Sequence, residues 1–316
     1  MSGDPLARGG PSGEPGDDPP WASSPVGGSP PIAAPDPAPP GTLATPGGAA
    51  RKRSWLRWLS IVLLLSVGLW CLSEYATLPD ARALLDHEPG TTALIQARDE
   101  AAQSQGKKPR RRQYWIPLGA IAPRAVDAVI ASEDASFFLH RGIDFDELRN
   151  ALDLAWKQQS LGRGASTITQ QLAKNLWLSS DRSLLRKAKE LILARRLEQA
   201  LPKKRILVLY LNVAEWGDGV YGIEAGSREH FGVSASQLSV GQGAILAAML
   251  PSPRRWTPES RSRALRKRAL WIVDRLEIAK KISAEEGDQA RSEIEQLLDQ
   301  DKAKAEEGDE SPDEDR

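Results

Sequence analysis

Two glutamates bound the chemistry this sequence could perform. Glu133 follows an apolar stretch, Ala125 to Ala131, and precedes Asp134, the pair Phe137-Phe138 and His140-Arg141-Gly142. A carboxyl at the end of such a stretch is expected to lose hydration, which raises its pKa toward general-base duty. Taken alone, the two adjacent acids read equally well as helix-flanking residues. His140 has no second His or Cys at ligand spacing, so a hydrogen-bonded structural role is expected and no metal site is assigned. Glu190 lies four residues after Arg186 and three after Lys187, which puts the three on one helix face. That pattern fits either a surface ion-pair ladder, worth little energetically, or a cationic site for a diphosphate beside a second carboxylate. Between the acids, Gly162-Arg163-Gly164-Ala165-Ser166-Thr167 runs into a helix. Thr167 and Gln170 fit a capping box. Thr167, Gln170 or Gln171, and Lys174 share a face at that helix N-terminus, a suitable place for phosphate or sugar hydroxyls.

Together these clusters resemble the peptidoglycan glycosyltransferases, the family found as the polymerising domain of class A penicillin-binding proteins and as stand-alone enzymes. Glu133-Asp134-x-x-Phe137-x-x-His140-x-Gly142 is similar to the family's first motif, and Gly164-x-Ser166-Thr167-Ile168-Thr169-Gln170-Gln171 to its second. Arg186-Lys187-x-x-Glu190 is similar to the third, and Lys203-x-x-Ile206-Leu207-x-x-Tyr210-Leu211-Asn212 to the fourth. Lys267-Arg268-Ala269-Leu270-Trp271-Ile272 matches the fifth only loosely. Val208 and Gln242 stand where the family often has Glu. Ala214-Glu215-Trp216-Gly217-Asp218-Gly219 resembles the monofunctional branch of Gram-negative bacteria. The similarity runs from about Trp115 to Trp256.

The resemblance implies a mainly α, lysozyme-like, two-lobed helical domain acting on lipid II, a disaccharide-pentapeptide on undecaprenyl diphosphate, and on the growing glycan strand. It implies Glu133 and Glu190 as catalytic residues, with Glu133 as base toward the acceptor hydroxyl. Asp134, Ser166, Thr167, Gln170, Gln171, Lys174, Arg182, Arg186 and Lys187 are implied to bind substrate. Lys174, Arg182 and Lys187 would stabilise the leaving diphosphate. No cofactor is required, and a divalent cation, Mg or Mn, could assist at the diphosphate. No nucleic acid is expected as partner, and protein partners are left open. The one Ser-x-x-Lys, Ser104 to Lys107, lacks the partners of a penicillin-binding site, so no transpeptidase activity is expected. A lytic enzyme would not need cations placed for a diphosphate, and a non-catalytic scaffold would not need both glutamates.

The elements that position these residues read as helices almost throughout. Leu184, Leu185, Ala188, Leu191, Ile192, Arg195 and Leu197 predict an amphipathic helix. Gln242–Leu250 predicts a small-residue helix ended by Pro251 and Pro253. Strand-like alternation is scarce. The Pro/Gly/Ser/Ala-rich residues 1–50 cannot bury enough surface to offset ordering entropy and read as disordered. Residues 54–75, behind the basic cluster Arg51, Lys52, Arg53 and Arg57, predict a single transmembrane helix. The positive-inside bias then puts residues 1–50 in the cytoplasm and the catalytic domain on the periplasmic side of the inner membrane. Residues 76–113 read as a basic linker, 114–280 as the glycosyltransferase domain and 281–316 as a disordered acidic tail. The single cysteine, Cys71, excludes an intramolecular disulfide.

Overall fold

A computed structural model describes residues 49–158, 166–178, 183–260 and 262–299. The expected disordered segment lies almost wholly outside them. The chain divides into two units, Met1–Gly68 and Leu69–Arg316. Helix α1 spans Ala49–Ala76. Its apolar side chains are exposed, among them Trp58, Leu64, Leu65, Leu69 and Leu72. Among the described residues, no helix is long and apolar enough to cross a membrane. The expected spanning segment is therefore helical, without being established as a membrane crossing.

The residues read as a linker are built into the second unit. A 3₁₀ turn at Ala81–Leu84 is followed by α2, Ala93–Ser104, whose cap Thr92 accepts the Ile95 N–H. Ile95 is fully buried, and α2 packs on a later helix, α5. Strand β1, Arg112–Gln113, then pairs in parallel with a distant hairpin strand. This order comes from long-range contacts that a local reading of charge cannot supply.

The remaining elements are α3 (Pro123–Glu133), α4 (Phe145–Gln158), α5 (Ile168–Trp177), α6 (Leu184–Ala200) and α7 (Lys203–Val213). The hairpin β2 (Glu215–Gly217) and β3 (Val220–Tyr221) follows, then α8 (Ile223–Phe231), α9 (Val240–Met249), α10 (Arg263–Ile278) and α11 (Ala284–Asp299). The small sheet has the order β1-β3-β2. The described chain is thus mainly α.

Two helix clusters carry the core. In one, α5 packs on α6 and α7; in the other, α3, α10 and α11 surround α9. The apolar, small-residue α9 is buried over most of its length, as its composition predicts. Gly243 lets it approach α3, because a Cβ there would lie 2.8 Å from Ala125 Cα. Gln242 completes a capping box with Ser239, so the amide performs at N3 what a glutamate would.

Two expectations fail here. The buried stripe of α6 is Glu190, Leu193, Ala194 and Leu197, whereas Leu184, Leu185 and Ile192 are exposed. The expected face runs through Leu184, Leu185 and Ile192, but the packed face begins at the charged Glu190 and continues through Leu193, Ala194 and Leu197. The acidic tail is also not structureless throughout. In α11, Gly287, Ala290, Ile294 and Leu298 are buried at helical spacing beneath a charged outer face. Residues 300–316 lie outside the described residues.

Candidate active site

Glu133 ends α3, where Asp134 leaves the helical region at φ −166° and ψ 73°. Three donors meet the Glu133 carboxylate. Arg268 Nη2 of α10 donates to Oε1 at 2.8 Å, Ser132 Oγ to Oε1 at 3.1 Å, and Gln171 Nε2 of α5 to Oε2 at 2.8 Å. Behind Gln171, the buried Tyr210 hydroxyl donates to its Oε1 at 2.9 Å. Burial, then the nearby Glu133 and Asp134 charges, push the Tyr210 pKa well above its ordinary value, so it remains a donor. Arg268, in the loosely matched fifth motif, reaches Glu133 from 135 positions away.

Asp134 turns inward, where it is buried. One oxygen faces His140 Nε2 at 2.8 Å and the other accepts the Ile168 N–H at 2.9 Å. His140 Nδ1 accepts the Gly142 N–H at 3.2 Å, so Nε2 is the nitrogen that donates to Asp134. Burial raises the Asp134 pKa, against the opposing pull of His140, the Ile168 N–H and Lys203. Gly142 holds φ +87°, and its carbonyl accepts Thr167 Oγ1 at 2.7 Å and Gln170 Nε2 at 3.2 Å. Thr167 also accepts the Gln170 N–H at 3.2 Å as the cap of α5. At the start of α5 the N–H groups of Ile168 and Gln170 are thus taken by the protein's own side chains. Asp134, Thr167 and Gln170 brace the turn after Glu133 against α5.

Asp134, His140 and Asp144 bring their donor atoms within 4.8 Å of one another. Those atoms are already engaged, because Asp144 accepts Ser136 Oγ and the Glu147 N–H. The cluster therefore reads as a hydrogen-bonded clamp.

Ser183 caps α6 and accepts the Arg186 N–H at 3.1 Å. One turn on, the buried Glu190 is gripped by Arg186 Nη1 at 2.8 Å and by Lys187 Nζ. Lys187 Nζ also donates to Ser166 Oγ at 2.9 Å and to Gln170 Oε1 at 3.2 Å. The second and third motif residues are thus brought together. Arg182 lies outside the described residues.

Lys174, on α5, has no hydrogen-bond or ion-pair partner among the described residues. Desolvation lowers its pKa, as do the Arg186 and Lys187 charges, while Glu190 and Glu133 act to raise it. The field of both glutamates thus reaches this one ammonium. The Nε–H groups of Arg186 and Arg268 are buried without a partner among the described residues. The arrangement offers two fixed carboxylates and a free cation, which suits proton abstraction at one end and anion binding at the other.

Residues 99–277 match the protein family described as Transglycosylase. The chain is 41% identical over 232 residues to a biosynthetic peptidoglycan transglycosylase of Bordetella avium (strain 197N), covering 72% of this chain and 97% of that protein. A protein of the same name from Rhodospirillum centenum (strain ATCC 51521 / SW) is 48% identical over 167 residues, covering 53% of this chain and 72% of that protein. The crystal structure of penicillin-binding protein 1A from Haemophilus influenzae is 20% identical with a TM-score of 0.34. That match covers 58% of this chain, which spans 18% of that protein's length.

Proposed function

The chain belongs to the transglycosylase family, and on that footing we infer that it is a peptidoglycan glycosyltransferase that polymerises glycan strands. The observation carrying the mechanism is the pair of carboxylates fixed by protein donors, Glu133 by Arg268 and Gln171 and Glu190 by Arg186 and Lys187, with Lys174 unpartnered among the described residues.

The growing strand, with its lipid diphosphate, is the donor, and lipid II is the acceptor. Glu133 takes the proton of the N-acetylglucosamine 4-hydroxyl as its oxygen bonds to the donor's anomeric carbon. The bond from that carbon to the diphosphate breaks, giving an inverted β-1,4 linkage and undecaprenyl diphosphate. Lys174, with Lys187 and Arg186, balances the charge developing on the leaving group. Arg182 falls on the same segment and is assigned the same task. Glu190 orients Lys187 and Arg186. Arg268 and Gln171 fix Glu133, which retains lone pairs for the acceptor proton.

No cofactor enters this scheme. Glu133 and Glu190 already face protein cations, Arg268 for the first and Arg186 with Lys187 for the second, a poor fit to a protein-held metal ion. Any divalent ion is therefore assigned to the diphosphate itself.

The same reading takes the domain as lysozyme-like, with the two helix clusters as its lobes. It takes α1 as an inner-membrane anchor with the catalytic domain on the periplasmic side. The exposed apolar surface of α1 and the basic residues before Trp55 support that placement. Phe145, Leu148, Leu184 and Leu185 are also exposed and favour contact with the bilayer surface.

Incubation with labelled lipid II tests the proposal. Long glycan is expected. Unchanged lipid II would make the chain a scaffold, and cleavage of preformed sacculus would make it a lytic enzyme.

A further inference from the structure

A second concavity lies apart from this chemistry. Its volume is about 660 Å³, and neither Glu133, Lys174 nor Glu190 lines it. Its walls come from the turn Phe138–Arg141, the last turns of α6, and the Leu201–Lys203 link into α7.

Part of the lining is apolar and meets water. Phe138 is 54% exposed and Leu139 is 88% exposed. The rest of the lining is largely cationic, and its arginines are exposed as well. Arg141 and Arg195 line it and have no ion-pair or hydrogen-bond partner among the described residues. The charge of Glu198, which also lines it, is offset by its ion pair with Lys203 at 2.7 Å, so the lining keeps the net positive charge of the two arginines. Gln199 lines this concavity and also a neighbouring one shared with Tyr75, Pro79 and Arg196. There the Arg196 guanidinium lies 4.1 Å from the Tyr75 ring centroid and donates to the carbonyls of Tyr75 and Leu78. The groove therefore sits beside the end of α1.

A water-soluble anion would leave the Phe138-Leu139 rim unused. A neutral lipid would leave two guanidiniums uncompensated. An anionic amphiphile answers both features, with its phosphate between the arginines and its glycerol and first methylenes on the rim. We propose that this groove binds the headgroup of an anionic phospholipid, at a site separate from the catalytic one. The proposal rests on the membrane placement inferred above, and its test does not depend on turnover.

The whole chain in zwitterionic detergent is titrated with dihexanoyl-phosphatidylglycerol, dihexanoyl-phosphatidylcholine or inorganic phosphate. Amide hydrogen exchange is followed at residues 138–141 and 195–203. Phosphatidylglycerol should protect both segments, and the other two should not. Arg141→Gln with Arg195→Gln should weaken that protection about tenfold or more, with folding confirmed by circular dichroism and lipid II polymerisation in the same detergent unchanged. Arg141→Lys with Arg195→Lys should retain most of it.

Equal protection by inorganic phosphate overturns the lipid assignment. So does undiminished phosphatidylglycerol binding by the Gln variant, or displacement of phosphatidylglycerol by lipid II at one-to-one stoichiometry. Absence of protection with phosphatidylglycerol overturns the site itself. Failure of the wild-type chain to polymerise lipid II would count against the proposed function alone.

Discussion

Glu133 is held by one guanidinium, a hydroxyl and an amide, whereas Glu190 is held by two cations. Glu133→Gln preserves shape but cannot accept a proton at neutral pH. Polymerisation should fall by about 10²–10⁴ while lipid II affinity stays close to wild type. A folded Glu133→Gln protein with near wild-type turnover would remove Glu133 from the mechanism. Glu190→Gln should impair both affinity and turnover, because it releases Lys187 and Arg186 together. Lys174 carries the pH dependence. Its lowered pKa means that the ammonium loses its proton at a lower pH than an ordinary lysine. Diphosphate binding should therefore weaken early on the alkaline side, and Lys174→Arg should move that loss to higher pH. An alkaline limb that stays in place in the variant rules Lys174 out as the group responsible. Glu133 and Glu190 could be singled out from sequence because each lies within a short, ordered motif, and Lys174 because it shares a helix face with Thr167 and Gln170 or Gln171. The grip of Arg268 on Glu133 could not, since it joins residues on separate helices. Nor could the inward turn of Asp134, which depends on where His140 and the Ile168 N–H come to rest.

Helices α9, α10 and α11 determine where Arg268 stands. Ser239 at the start of α9 donates to the Glu293 carboxylate of α11, while Ile294 and Leu298 pack beneath. Ile294→Ala should cost about 2–5 kcal/mol, as removal of a fully buried branched side chain does. Urea unfolding of the variant measures this. A change within error would mean that α11 does not dock in solution. Composition concealed this helix because its buried positions include Gly287 and Ala290, which add little to a hydrophobic signal. The opposite error occurred in α6, where Leu184 and Ile192 drew the apolar stripe toward exposed positions. A helix beside a lipid or a substrate groove need not bury its most apolar face, so periodicity located α6 and missed its orientation. The expected α9, with both faces apolar and small, agrees with the structure because burial on all sides leaves no face to choose.

For the whole chain, removal of residues 1–50 with Arg51 onward retained should leave polymerisation in reconstituted membranes nearly unchanged. A large loss would assign that segment a role in catalysis. The path from α1 into the domain behaves differently from a tether. Arg196 holds the carbonyls of Tyr75 and Leu78, Arg205 holds those of Leu84 and His87, and Arg111 holds that of Gly90. Five carbonyls over sixteen residues are thus fastened to guanidiniums. A leash fastened at so many points has no slack to pay out. On the anchoring proposed for α1, Glu133 and Glu190 would therefore stand at a set distance from Leu69.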